Sequence, residues 1–159
     1  MSSKVHDESG RRGRSTVTIK ESLRDLRVQL ALLNHQVGTK VELKDVDLDC
    51  LDLVSRHGPL NPTALAKRAG LHPATITGIL DRLERGGWIT RDRDPADRRA
   101  VVVRIVPDRN AEMYRHYAGM NSSLDEICAR YDPAELDVIA DFLRRATAAG
   151  EQAAEDMTD

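Results

Sequence analysis

Residues 73–85 read Pro-Ala-Thr-Ile-Thr-Gly-Ile-Leu-Asp-Arg-Leu-Glu-Arg. Ile76, Ile79, Leu80 and Leu83 recur at i, i+3, i+4 and i+7, which predicts an amphipathic helix with those four turned inward. The outward set is then Ala74, Thr75, Thr77, Gly78, Asp81, Arg82 and Arg85. Its leading end is small or hydroxylated, and its trailing end carries cations. Such a face can approach the floor of a DNA major groove. A threonine hydroxyl can bond a base edge there, and its methyl can meet the methyl of thymine. The positive N-terminal end of the helix also favours a phosphate. The bland alternative is an ordinary surface helix whose small residues do nothing, and in isolation that alternative is the better one.

A second cluster follows at once. Arg91 and Arg93 lie on a β-prone stretch, and Asp97, Arg98 and Arg99 lie on the turn after it. An arginine on a thin β-ribbon can reach into a narrow minor groove, where the negative potential is greatest. Asp97 cannot face a phosphate, so its expected role is to orient Arg99 or a neighbouring arginine. The competing reading is a surface ion pair worth about 0–1 kcal/mol.

The surrounding elements bring the two clusters together. His57-Gly58-Pro59 ends one helix, and Asn61-Pro62 is a cap followed by proline at the first helical position. A short helix with Leu65 and Ala69 inward stops at Gly70, and Leu71-His72-Pro73 starts the next. Two short helices joined by a glycine turn form a helix-turn-helix. Gly86-Gly87 closes the second helix. Trp88-Ile89-Thr90 and the run Ala100 to Val106 then predict a hairpin whose tip is Asp94-Pro95-Ala96-Asp97, a wing. The expected fold class is mainly α with a small β-hairpin wing (α+β): a winged helix-turn-helix flanked by long N- and C-terminal dimerisation helices.

The flanks carry apolar stripes that need a partner. Ile19, Leu23, Leu26, Leu30, Leu33 and Val37 step by 4, 3, 4, 3 and 4, and so do Met113, Tyr117, Met120, Leu124, Ile127 and Tyr131. Asp132-Pro133-Ala134-Glu135 opens a last helix with Leu136, Ile139, Ala140 and Leu143 along one face. Ile19, Leu23, Leu26, Leu30, Tyr117, Leu124, Ile139 and Leu143 are the residues expected to make a dimer. The predicted organisation is a disordered tail (1–16), an N-terminal dimerisation helix (17–42) and a winged helix-turn-helix (43–106). C-terminal dimerisation helices (107–159) complete it. The first helix is expected over about 17–36, with a capping box at Thr18 and Glu21. Arg11, Arg12 and Arg14 belong to the tail and are read as solvated. The second helix, from about Leu43 to His57, should bury Leu43, Val46, Cys50, Leu53 and Val54. Its Asp45, Asp47, Asp49 alternation resembles a calcium loop only superficially. Cys50 replaces the turn glycine and Arg56 the bidentate glutamate, so the aspartates are read as a solvated acidic face.

Composition excludes several classes. Aromatic residues are 3% of the 159, too few for the stacking platforms of a single-strand binder. No apolar run approaches a membrane span, and no secretory signal precedes the first helix, so a cytoplasmic location and no membrane partner are expected. Cys50 and Cys128 are too few for a disulfide framework and are both read as packing residues. The five histidines are scattered without ligand spacing, and no metal and no cofactor are expected. No nucleophile elbow, phosphate loop, dinucleotide fingerprint or zinc-protease helix is present, so no catalytic residue and no enzymatic activity are expected. The net charge is −2, but residues 61–104 hold nine basic and five acidic side chains, a surplus of four. A basic module on an acidic body is what a phosphate-binding face requires.

These residues resemble the MarR family. Gly58-Pro59-Leu60 and Ala64-Leu65-Ala66-Lys67-Arg68-Ala69-Gly70-Leu71 carry the likeness first. His72-Pro73-Ala74-Thr75-Ile76-Thr77 and Leu80-Asp81-Arg82-Leu83-Glu84-Arg85-Gly86-Gly87-Trp88-Ile89 continue it. Arg91 and the wing motif Asp97-Arg98-Arg99 complete it, and the likeness extends over about 17–150. It implies a homodimer on a pseudo-palindromic, inverted-repeat operator in double-stranded DNA, most often as a repressor, with a small-molecule effector as a further partner class. Arg99 takes the position of the family's wing arginine, Asp97 that of its orienting aspartate, and Thr75 and Thr77 those of major-groove contacts. Pro73, Ala74, Gly78, Arg82, Arg91 and Arg98 complete the expected DNA-binding set. Four positions depart from the family. His72 stands for the usual serine and Gly78 for a common basic residue. Val106 and Arg109 stand where threonine and glycine are frequent. The alternative to a DNA-binding regulator is a winged-helix module for protein contacts without DNA specificity.

Overall fold

Proline at the first helical position and glycine after the last set the short helices of this chain. Asn61 Oδ1 accepts from the Ala64 N–H at 2.7 Å, and Gly70, with φ of 63°, closes the same helix. The computed structural model describes residues 2–94, 97 and 100–157. Among these the element order is α1 (Ser2–Val41), α2 (Asp45–His57), α3 (Pro62–Ala69), α4 (Pro73–Arg85), β1 (Ile89–Arg93), β2 (Val101–Ile105), α5 (Pro107–Arg115), α6 (Ala118–Cys128) and α7 (Pro133–Asp156). The chain divides into two compact units, Met1–Met113 and Tyr114–Asp159. The first unit therefore takes in α1 and most of α5 along with the expected winged module.

In the first unit, α2, α3 and α4 pack on one another and on the hairpin. The antiparallel register pairs Ile89 with Ile105 and Arg93 with Val101. Leu60 adds a short third rung, its N–H and C=O both bonded to Val103. The core is formed by Leu51 and Val54 of α2, Leu65 of α3, Ile76, Ile79, Leu80 and Leu83 of α4, and Trp88, Ile89 and Val103 of the hairpin. The four inward positions predicted for α4 are the four that are buried.

Three expectations change. The segment 2–16 is helical, not a disordered tail, and α1 runs unbroken for 40 residues, about 60 Å of helix. No proline interrupts it. Thr16 and Thr18 bond back to the carbonyls of Arg12 and Arg14, so the expected cap at Thr18 is a mid-helix hydroxyl. The C-terminal stripe is also broken. Tyr117, at φ −95° and ψ 0°, separates α5 from α6, and its N–H bonds the Tyr114 carbonyl in a tighter turn. Met113 leaves the stripe for the core of the first unit. In α1 the stripe's last member, Val37, is likewise buried, within the same unit as α2.

The third change lies in α2, whose buried face is Asp47, Leu48, Cys50, Leu51 and Val54. Leu43, Val46 and Leu53, expected inside, are only half-buried, and Leu43 lies ahead of the helix. Asp47, expected in solvent, is 1% exposed, because Arg82 of α4 reaches it with a two-pronged contact: Nη2 to Oδ1 at 2.6 Å and Nε to Oδ2 at 3.1 Å. The Lys44 N–H donates to the same carboxylate at 3.2 Å, so both oxygens are engaged.

In the second unit, α7 opens on a full capping box. Asp132 accepts from the Glu135 N–H and Glu135 from the Asp132 N–H, each at 2.9 Å. Among their described residues α6 and α7 bury none. Of the eight expected dimer residues, Ile19, Leu26, Leu30, Leu124, Ile139 and Leu143 are exposed in the single chain, and Leu23 and Tyr117 are half-buried.

Removing one partner of a buried ion pair strands the other. Asp47→Ala should therefore destabilise the first unit by on the order of 3 kcal/mol, at the low end for such pairs because Arg82 stays 36% exposed. Arg82→Ala should cost at least as much, because it leaves the carboxylate buried. Urea unfolding followed by circular dichroism checks both; a loss below about 0.5 kcal/mol in each would show that the pair does not hold α2 to α4.

Candidate nucleic-acid interface

The leading end of α4 is built by residues without long side chains. His72 caps it: its Nδ1 accepts from the Ala74 N–H at 3.2 Å, replacing the hydroxyl acceptor usual at such a cap. Pro73, Ala74, Thr75 and Thr77 are exposed, and Gly78 is half-buried. The Thr77 hydroxyl donates to the Pro73 carbonyl at 3.3 Å, which leaves its lone pairs and methyl outward. A Cβ at Gly78 would meet only the end of the flexible Arg82 side chain, at 3.8 Å. Nothing inside the protein demands a glycine there, although one in mid-helix costs about 1 kcal/mol relative to alanine.

Two arginines expected to face DNA are committed inward. Arg82 is held by Asp47 as described. Arg91 of β1 meets Asp81 at 2.7 Å, and its Nε bonds Glu84 at 2.9 Å. These contacts bind the wing's first strand to the trailing half of α4. The bond from Arg91 holds the Glu84 carboxyl below its ordinary value of 4.5, against the opposing effects of desolvation and, last, of the Asp81 charge. Both carboxylates stabilise the Arg91 cation in return.

The exposed cations include Arg85 at the end of α4, expected on its outward face, and three that carry no expected role: Lys67 and Arg68 on α3 and Arg104 on β2. Arg104 keeps only a loose 3.9 Å contact to Asp92. Between the start of α3 and β2 lies an open groove of about 490 Å³ lined by Asn61, Thr63, Lys67 and Val101 among others. Its two sides are about forty positions apart in sequence, so no local pattern announces it. Asp97 is exposed, and its carbonyl accepts from the Ala100 N–H at 2.9 Å. Arg98 and Arg99, and with them the expected pairing of Arg99 with Asp97, lie outside the described residues.

Cys50 is fully buried, and its thiol is pushed up to about 11, first by burial and then by Asp49 and Asp47. It stays protonated near neutral pH and is a poor nucleophile, which fits a packing role. Cys128, also read as packing, is instead exposed in the chain, because α6 buries no described residue. Among the described residues no group of three metal-ligating side chains comes together. None of the described helices is long and apolar enough to cross a membrane.

A short helix, a turn, a solvent-facing second helix and an adjoining hairpin define a winged helix-turn-helix. Residues 43–101 match the MarR family model. The HTH-type transcriptional regulator YcgE of Bacillus subtilis is 28% identical over 129 residues, covering 81% of this chain and 84% of that protein. The HTH-type transcriptional repressor YetL of the same organism is 32% identical over 84 residues, 53% of this chain and 50% of that one. A MarR family protein from Bacillus stearothermophilus superposes with a TM-score of 0.67 at 20% identity, covering 87% of this chain and 96% of the other, a likeness of fold. The chain is thus similar to MarR-family transcriptional regulators, through the family model over residues 43–101 and through YcgE over most of its length, and it shares their winged-helix fold.

The Glu84–Arg91 contact has a defined pH dependence. Because the folded-state value of Glu84 lies below 4.5, its contribution is fully present above that pH and is lost as pH falls through the folded value. Glu84→Gln should therefore melt below the parent at pH 7, and the two melting curves should converge only below about pH 4.5. A gap that stays constant down to pH 3 would mean the charge on Glu84 is not what stabilises the contact.

Proposed function

We propose that this chain is a cytoplasmic homodimeric repressor that reads an inverted-repeat operator through the leading face of α4. The observation that carries the reading is that face itself: the exposed Ala74, Thr75 and Thr77 and the half-buried Gly78 form a strip of small residues on a helix anchored from behind by Asp47 and Arg91. A rigid, narrow ridge suits entry into a major groove, and Gly78 is costly unless something approaches it closely. Thr75 and Thr77 contact bases, and Pro73 and Ala74 permit the approach. Lys67, Arg68, Arg85 and Arg104 face the phosphates, while Arg82 and Arg91 hold the frame. Arg98 and Arg99, with Asp97 beside them, provide the minor-groove contacts of the wing. YetL, a repressor by name, supports the sign of regulation. Release by a small-molecule effector is the mode of control that the family resemblance adds.

Selection from random duplexes by the purified protein should return an inverted repeat. Affinity for it should fall steeply between about 50 and 200 mM salt. Thr77→Ala should relax the preference at one base pair per half-site by about 1 kcal/mol, with dimerisation and melting unchanged. A protein that selects no duplex would be a protein-contact module. A parent-like Thr77→Ala would move the reading face to Thr75 or Gly78.

The exposed residues Ile19, Leu26, Leu30, Leu124, Ile139 and Leu143 support the dimer, because solvent-facing apolar stripes of this extent mark an interface. Light scattering at micromolar concentration should give twice the 17.7 kDa chain mass. A stable monomer would remove the basis for a palindromic site.

A further inference from the structure

Arg109 plays no part in the reading face or in the apolar stripes, yet its side chain is committed in three directions. Its guanidinium carbon lies 4.0 Å from the centroid of the Trp88 ring. Nη2 donates to the Gly86 carbonyl at 3.3 Å, and Nη1 donates to Glu112 Oε2 at 2.6 Å. Trp88 is itself buried and pressed onto Gly86, where an added Cβ would come within 2.7 Å of the indole. The Val106 N–H donates to the Trp88 carbonyl at 2.9 Å, so the backbone entering α5 is tied to the same residue. The end of α4, the start of the hairpin and the first turn of α5 thus meet in one stack of Gly86, Trp88 and Arg109.

Each contact has a physical reason. Carbonyls at a helix C-terminus lack intrahelical donors and carry partial negative charge, so a guanidinium there supplies both a donor and a counter-charge. A cation over an indole face is attracted by the ring quadrupole, more strongly where water is excluded. Glu112, three residues on, fixes the fork and offsets its charge. The chain passes from the first unit to the second through α5, four residues beyond Arg109.

We propose that Arg109 is a positioning residue for DNA recognition: a latch that ties α5 to the end of α4 and so sets the stance of the reading helix without touching DNA. The inference rests on the reading of α4 as the recognition helix.

The test uses the full chain, with Arg109→Ala, Arg109→Lys, and Arg115→Ala as a control for lost charge on α5. Trp88 is the chain's single tryptophan, so its fluorescence reports on the stack directly. In Arg109→Ala the emission should shift, and amide exchange at Gly86, Gly87 and Trp88 should speed at least about tenfold. Affinity for the selected operator should fall about tenfold at a temperature where circular dichroism shows every variant folded. The salt slope should match the parent, Arg109→Lys should recover part of the loss, and Arg115→Ala should behave as the parent. Unchanged emission and exchange would overturn the latch. A salt slope lowered by about one unit would make Arg109 a phosphate contact instead. Faster exchange with full operator affinity would leave a local stabiliser with no positioning role. If the parent itself selects no duplex, the recognition reading fails and the positioning role falls with it, while emission and exchange still decide whether the stack exists.

Discussion

The two-pronged contact between Asp47 and Arg82 is the constraint on which the rest of the first unit depends. A carboxylate taken out of water must keep its partner, and a guanidinium fork accepts only a narrow range of approach. With both oxygens of Asp47 engaged, α2 and α4 are held in one register. That register turns Ile76, Ile79, Leu80 and Leu83 into the core and leaves Pro73, Ala74, Thr75 and Thr77 outside. Hydrophobic burial alone would hold the helices together but would tolerate small slides between them. The ion pair does not, because a slide would strand a buried charge.

Arginine is used in two ways within about forty residues. Arg82, Arg91 and Arg109 face inward onto, respectively, a buried aspartate, a pair of carboxylates on α4, and a helix end with an indole. Arg68, Arg85 and Arg104 are exposed. The first group fixes geometry and the second supplies charge. The surplus of positive charge over residues 61–104 therefore overstates the number of cations free to meet phosphate, since part of it is neutralised within the fold. The exposed cations and the exposed small side chains of α4 are the two features on which the proposed reading of this surface rests.

The second unit shows the opposite balance. Helices α6 and α7 bury nothing among their described residues, so intrahelical bonds, and at α7 a capping box, define them while their apolar faces stay in solvent. Most of α1 is likewise exposed: among its residues with described burial, only Val37 and Gly38 near its end are buried. Elements of this kind are stable in isolation only marginally, and their stripes account for themselves once a second chain covers them.

By itself the sequence determined what depends on near neighbours. The caps at Asn61-Pro62 and Asp132-Pro133, the glycine stop at Gly70, the four-residue inward face of α4 and the paired strands around the wing were all legible, because each is set by residues within about four positions of one another. So was the likeness to the MarR family, since its motifs are runs of contiguous residues. The folded chain decided what depends on residues far apart. Asp47 reads as one of several solvated aspartates until Arg82, thirty-five positions away, is seen to reach it. The only local sign was that Asp47 steps by 4 and 3 to Leu51 and Val54. Arg82 and Arg91 look like phosphate contacts for the same reason, because a cation's partner is chosen in three dimensions. The break at Tyr117 interrupts a perfect apolar spacing, since spacing describes a face and not the continuity of the backbone beneath it. The latch at Arg109 joins residues 86, 88 and 109 through a cation and a ring, an association that no periodicity encodes and only packing creates.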